Sequence, residues 1–409
     1  MTATLTDPLA SSPTPADVTR LQAVPVLQAE PRPQRFYHPE LDAIRIFLFF
    51  GVWAYHVVPR QEAFYTAHHL PASLASAVAS VVTAGMCSLD VFFILSAFLI
   101  TELLLREREL RGRVDLKAFY VRRLLRIWPL YFFVIALTGL LSLFDRTQAV
   151  SWAYIASFLL FAGNWMMAVR GAPAAVAIIP LWSVSFEEQF YLLWPLVLRR
   201  ASRRTVAGIA IAMLAVASVT RLILLLRHTA GDPIWYNTFA RLDSIACGIL
   251  LALAFHGRAL FRPGLRTRLG LVLVGAGAWL AVGRWCGLLD GVPTLTGGLI
   301  GYPLMSLGGV AIFLAILGAA QDGMAFMKHP ALVYFGKLSY GLYLYHMLSL
   351  HLAGYVIDRH MPMGQTLVSV IGLLLTLLLA AISFKWLETP FLRLKQRRFT
   401  YVASGAPSS

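Results

Sequence analysis

The amino-acid sequence predicts an all-α integral membrane protein, with about ten transmembrane helices around a polar intramembrane cavity and both termini in the cytoplasm. Three observations lead there. Of the 409 residues 58% are hydrophobic and only 13% charged, with a mean hydropathy of +0.69. A soluble domain carries about 25% charged residues, so this chain cannot cover a water-facing surface. Its apolar residues fall in segments near the roughly 20 residues that cross a bilayer. Its basic residues gather in alternate connections between those segments.

Taken in order, residues 1–40 are rich in Pro, Ala, Ser and Thr and lack the apolar core of a signal peptide. They are expected to form a disordered cytoplasmic tail, with a short ordered piece near Arg35–Glu40. Apolar spans follow at 42–58, 84–105 and 127–144. The next apolar stretch, Trp152–Met167, is short and runs into Gly163-Asn164-Trp165, which predicts a re-entrant or surface-lying piece. Spans resume at 181–198, 206–226, 237–255, 269–288, 296–318, 338–357 and 365–388. Residues 41–395 thus make one transmembrane domain, and 396–409 a short cytoplasmic tail.

The formal net charge is +15, from 35 Lys and Arg against 20 Asp and Glu. In this topology 25 of the 35 basic residues are cytoplasmic, with concentrations at Arg106–Arg126, Arg199–Arg204 and Arg258–Arg268. Counting Trp152–Met167 as a span would move Arg199–Arg204 to the far side and weaken that asymmetry. The charge therefore reads as membrane topology and lipid contact, with no nucleic-acid partner. Cys87, Cys247 and Cys286 are odd in number and lack metal-ligand spacing, so no disulfide framework is implied. His68-His69 is a loop pair without further ligands, and no metal is expected. Gly297-Gly298 and Gly308-Gly309 read as close helix packing.

Ionisable residues in the hydrocarbon are costly and usually functional. The spans hold Arg45, His56, Asp90, Glu187, Glu188, Arg221, Arg241, Asp243, His346, Lys385 and Glu388, which implies a polar cavity. Arg45 and His56 are eleven residues apart, about three helical turns, so they share a face some 16 Å apart along the axis. Asp42 lies on that face one turn before Arg45. A buried imidazole is a ready proton acceptor near neutral pH; the bland alternative is a hydrogen-bonded core histidine. Glu187 enters from the far side at a depth that His56 could share, a base-and-orienter arrangement. The alternative there is a polar helix start capped by Ser183 or Ser185, with Glu187 and Glu188 near its positive dipole end. Arg241 and Asp243 are each expected to pair with a neighbouring helix. Arg122 or Arg123 with Arg126 share a helix face, suited either to anionic lipid head groups or to clamping a phosphate-bearing cofactor.

Together these stretches resemble the acyltransferase 3 family, bacterial membrane O-acyltransferases that decorate lipopolysaccharide and other glycans. The resemblance runs in family order over about residues 36–395. Leu41-Asp42-Ala43-Ile44-Arg45 through His56 is similar to the family's first-helix Arg-x10-His motif. Asp90 to Ile100, containing Ser96, is similar to the second-helix signature, and Arg123-x-x-Arg126 to the cytoplasmic arginine motif. Leu181 to Pro195, containing Trp182, Glu187, Glu188 and Tyr191, is the closest match. Arg241-Leu242-Asp243, Leu338 to His346, and Glu388-Thr389-Pro390 match weaker late motifs. Ala43, Ile46, Ser88 and Ala97 stand where glycines are usual.

The resemblance implies transfer of an acyl group, acetyl first among candidates, from cytoplasmic acyl-CoA to a hydroxyl of a carbohydrate-containing acceptor. It implies a multi-pass protein of the bacterial inner membrane, in the form without the C-terminal esterase-like domain of some relatives. His56 and Glu187 are the expected catalytic residues, and Arg45, Arg122, Arg123 and Arg126 the expected acyl-CoA contacts. Asp42, Asp90, Ser96, Trp182, Glu188, Tyr191, Arg241, Asp243 and His346 are the expected supporting set. His56 could deprotonate the acceptor or carry the acyl group itself. The chief rival is a transporter or flippase, which also buries charge at mid-membrane. No inverted-repeat halves support that rival, and it gives the arginine-rich loop no role.

Overall fold

A computed structural model describes residues 37–258, 262–289, 291–319, 324–357 and 363–398. Among these residues there are helices and no strands. The tail expected over 1–40 lies, up to residue 36, outside the described residues, as does 399–409.

The first helix, α1 (Pro39–Val57), begins with Pro at its first position, where a missing N–H costs nothing. Two helices, α2 (Glu62–Ala67) and α3 (Ala72–Ala84), lead into α4 (Ser88–Arg111). Helix α4 stops at Gly112, whose φ of 69° is the left-handed conformation that glycine adopts at least cost. Next comes α5 (Leu116–Phe144), capped by the Asp115 carboxylate accepting from the Ala118 N–H at 2.9 Å. The stretch Trp152–Met167 breaks into α6 (Trp152–Leu159) and α7 (Gly163–Arg170), joined through Phe161 at φ 54°. Eight residues rise only about 12 Å, so neither helix spans a bilayer.

The chain continues through α8 (Leu181–Arg200), α9 (Arg203–Leu226), the short α10 (Gly231–Tyr236) and α11 (Leu242–Phe255). It ends with α12 (Leu265–Ala281), α13 (Leu295–Ile316), α14 (Pro330–Val356), α15 (Gly364–Ser383) and α16 (Thr389–Arg398). Among the described residues, six helical stretches are long and apolar enough to cross a membrane. These are Ala72–Arg111, Leu116–Phe144, Arg203–Leu226, Leu265–Cys286, Leu295–Ile316 and Gly364–Lys395.

The other four expected spans fall in α1, α8, α11 and α14, which are helical but outside that set. Helix α11 has only 14 residues, and the other three carry ionisable or tyrosine side chains that lower their hydropathy. Those four helices also carry most of the candidate chemistry. Helix α14 packs against α15 and α1, and α11 against α4. Gly336 of α14 touches the Asp42 backbone of α1, where any Cβ would collide. That close approach brings His346 of α14 to the same wall as His56.

Candidate functional site

Two regions of the helical bundle gather the expected site residues. The first is a cavity of about 220 Å³ at the end of α1, lined by His56, Arg60, Trp182, Asp232, Tyr343 and His346 among others. In this measure one water needs about 10–15 Å³, so the space holds a solute rather than a single water. His56 is exposed, and it faces this cavity. Its ring lies 5.1 Å from that of His346 and 5.2 Å from that of Tyr55. His346 is 1% exposed and its Nδ1 lies 2.5 Å from the Tyr343 carbonyl, while its Nε2 has no partner among the described residues.

The far wall of the cavity is aromatic. Trp182 touches Trp235 and Tyr236 of α10 at ring separations of 6.0 and 5.2 Å. Arg60 donates to the Tyr55 hydroxyl at 2.5 Å and lies over its ring. Burial raises the Asp232 carboxyl above its usual range, and the Arg60 charge opposes that shift. One carboxylate, one guanidinium and several ring faces suit a polyhydroxylated ligand better than a purely apolar one.

The second region lies at the other end of α1. Arg45 pairs with Asp42 at 2.5 Å, and Arg122 with the buried Glu107 at 3.0 Å. Arg123 stacks over the Tyr191 ring at 5.1 Å, and Arg126 is exposed; neither makes a hydrogen bond to the described residues. Lys395 of α16 joins this group, within the field of Arg122, Arg123 and Arg126. Two of the four expected cofactor arginines are thus held by carboxylates, and Arg123 and Arg126 retain unused donors.

Glu187 belongs to the second region. It interacts with the Ser96 and Tyr191 hydroxyls and with the charges of Arg123 and Arg45. The Ser96 and Tyr191 hydroxyls are 2.8 Å apart. The expected pairing of Glu187 with His56 is not formed: no hydrogen bond joins them among the described residues. The cavity is level with Trp182, and Glu187 is five residues further along α8, about 7.5 Å deeper. Tyr343 connects the two regions, since it lines the cavity, accepts from Ser183 at 2.8 Å and feels the Glu187 charge. Glu188 turns away and accepts from the Trp128 indole at 3.1 Å.

Arg241 and Asp243 each find a partner on another helix. Arg241 pairs with Asp90 at 2.8 Å, and Asp243 with Arg221 of α9, all four buried. Arg241 also lies 4.0 Å from the Trp235 ring centre, so this ion-pair core backs the cavity wall. Lys385 departs from the expected buried set, lying exposed beside Trp386. Sequence reasoning missed Arg60, Asp232, Tyr343, Trp235 and Lys395. Tyr343 sits one turn before His346 inside a motif already singled out, and Arg60 four residues after His56; the α10 residues carried no local signal.

The fold and site define a multi-helix membrane protein with an accessible imidazole at one end of a helix and a cationic cluster at the other. The sequence profile of the acyltransferase 3 family, described as an acyltransferase domain, matches residues 38–385, and the chain belongs to that family. Two relatives are the O-acetyltransferases OatA of Staphylococcus aureus strains NCTC 8325 and COL, each 26% identical over 380 residues. The alignment covers 90% of this chain and 59% of either relative, so the chain spans less than two thirds of their length. No solved structure matches the chain.

Proposed function

We propose that this protein is a membrane O-acyltransferase. It moves an acyl group, acetyl first, from cytoplasmic acyl-CoA to a hydroxyl of a carbohydrate-containing acceptor in the cell envelope. In this reading all ten expected spans cross the bacterial inner membrane and both termini are cytoplasmic. The observation that carries it is the arrangement along α1, with Arg45 beside the cationic cluster and the accessible His56 three turns away in an aromatic cavity.

The free donors of Arg123 and Arg126 suit the CoA phosphates, which forked guanidinium groups bind well. Arg122 and Arg45, tied to Glu107 and Asp42, hold the walls of that site. The pantetheine arm then passes Glu187, Ser96 and Tyr191 toward Tyr343 and the cavity. Glu187 keeps Arg45 and Arg123 in place between the two regions, and Asp90, Arg241, Asp243 and Glu188 fix the helices around them. At the cavity, a His56 ring nitrogen takes the proton of the acceptor hydroxyl as its oxygen attacks the thioester carbonyl. The C–S bond breaks, and the departing thiolate recovers that proton from His56. Trp182, Trp235 and Tyr236 offer faces to the sugar, and Asp232 accepts from its hydroxyls.

The test uses purified protein in lipid nanodiscs with acetyl-CoA and a set of oligosaccharide acceptors, read as free CoA thiol and acetylated product. Wild-type protein should release thiol in step with product. Acceptor movement across vesicles without any acetyl-CoA dependence would favour the transporter reading instead.

A further inference from the structure

The residue facing His56 is another histidine, and its protonation is set by geometry. His346 Nδ1 lies 2.5 Å from the Tyr343 carbonyl oxygen, which can only accept, so Nδ1 carries the hydrogen. The neutral ring then has a bare lone pair at Nε2. That atom is buried, has no partner among the described residues, and belongs to a side chain lining the cavity beside His56. A second proton on Nε2 would leave both a charge and a donor unsatisfied there.

His56 is the complementary half. It has no hydrogen bond among the described residues, so nothing else sets its tautomer. The 5.1 Å between the two ring centres matches two imidazoles joined by one N–H···N bond of ordinary length. The rings are tilted by 47°, and the terminal torsion of the accessible His56 ring is the motion that would bring the two nitrogens into line. The other polar groups around His56 are Tyr55 and Arg60 from its own segment, Tyr343 from α14, and Asp232 and Tyr236 from α10. None of them is hydrogen-bonded to His56 among the described residues.

We propose that His346 is the positioning residue for His56: its Nε2 accepts one ring N–H of His56 and leaves the other ring nitrogen bare toward the cavity. The role resembles that of the orienting carboxylate in a base–orienter pair, filled here by an imidazole held by its own helix backbone. It rests on the proposed acyl transfer only for its catalytic consequence; the histidine pair itself is independent of any reaction. During transfer, the proton from the acceptor hydroxyl goes to the bare His56 nitrogen, and the His346 lone pair stabilises the resulting imidazolium. His346 neither gains nor loses a proton.

The test is the rate at which diethyl pyrocarbonate carbethoxylates His56, read by mass spectrometry on intact, lipid-embedded protein. It compares wild type, His346→Gln and His346→Leu. An N–H held by an acceptor makes the opposite nitrogen the better nucleophile. His56 should therefore react about tenfold slower in His346→Leu and recover most of that loss in His346→Gln, whose side-chain oxygen can accept. Equal His56 rates in all three proteins would overturn the pairing, as would a Gln variant no faster than the Leu variant. Unchanged acetyl-CoA binding and thermal midpoint show that the variants fold. In turnover, His346→Leu should lower kcat by about 10²-fold with little change in KM for acetyl-CoA. Adding it to His56→Ala should cost nothing further, and a multiplicative loss in that double variant would contradict action through His56. If the labelling pattern holds but wild type transfers no acyl group, the proposed function fails and the pair stands.

Discussion

Two buried polar regions lie side by side in this bundle and differ in one respect. In the core formed by α4, α9, α11 and α13, the charged side chains are paired: Arg241 with Asp90, and Arg221 with Asp243. Around α1, α8 and α14, His56 makes no hydrogen bond among the described residues and lines the cavity with His346, whose Nε2 is buried without a partner; Arg221 Nε, Arg241 Nε and Nη1 and the Tyr302 hydroxyl of the first region also lack a hydrogen bond, but none of the paired charges lines that cavity. Both regions hold such atoms, so the difference lies in access: the histidines open onto the cavity, whereas the paired charges are closed off behind its wall. The first region reads as architecture and the second as chemistry.

The largest expected effects break this comparison by acting on each region separately. His56→Ala should lower acyl transfer by about 10²–10⁴-fold with the thermal midpoint unchanged, because the ring faces an open cavity. Arg221→Ala should do the reverse: it strands the buried Asp243 carboxylate, at a cost of about 3–5 kcal/mol, seen as a lowered unfolding midpoint or loss of folded protein. A stable Arg221→Ala protein with lost activity, or an unfolded His56→Ala protein, would erase the distinction.

A smaller effect separates the cationic residues. Replacing Arg123 and Arg126 with Gln should weaken acetyl-CoA binding by about tenfold or more at low salt, by removing charged hydrogen bonds. Titration at rising salt should narrow the gap from wild type. Arg122→Gln should act chiefly on stability, since it frees the buried Glu107.

The smallest effect is at the C-terminal end of α11. His256 donates from Nδ1 to Glu102 at 2.9 Å and from Nε2 to Glu109 at 2.8 Å, and these hydrogen bonds hold its imidazole above its ordinary value of 6.5. A raised folded value means the contribution is fully present below pH 6.5 and is lost as pH rises through that raised value. The stability advantage of wild type over His256→Gln should therefore shrink on going alkaline, as followed by thermal unfolding across pH. An advantage that grows with pH would put the charge on the wrong residue.

Much of the helical plan was legible in the chain because span length and charge are local properties. The Arg45-to-His56 register follows directly from helical rise, and Gly163-Asn164 foreshadowed the break between α6 and α7. The reach of Arg241 and Asp243 to other helices was legible too, since isolated charges in hydrocarbon must find partners. The partner of His56 was not. Glu187 has the chemistry of an orienter, but its depth depends on where α8 starts relative to the end of α1, which is a tertiary quantity. His346 sits beside His56 because Gly336 lets α14 touch α1 near Asp42, ten residues before His346. Asp232 and Trp235 reach the cavity from a six-residue helix with no pattern of its own.

The central claim is that the open region performs acyl transfer through His56. Its most direct test is mass spectrometry of cell-envelope glycans and glycolipids from cells lacking the gene, complemented with wild type or with His56→Ala at equal membrane levels. The account predicts an acyl mass on an envelope glycan that returns with wild type and stays absent with His56→Ala. Restoration of that mass by His56→Ala would contradict it.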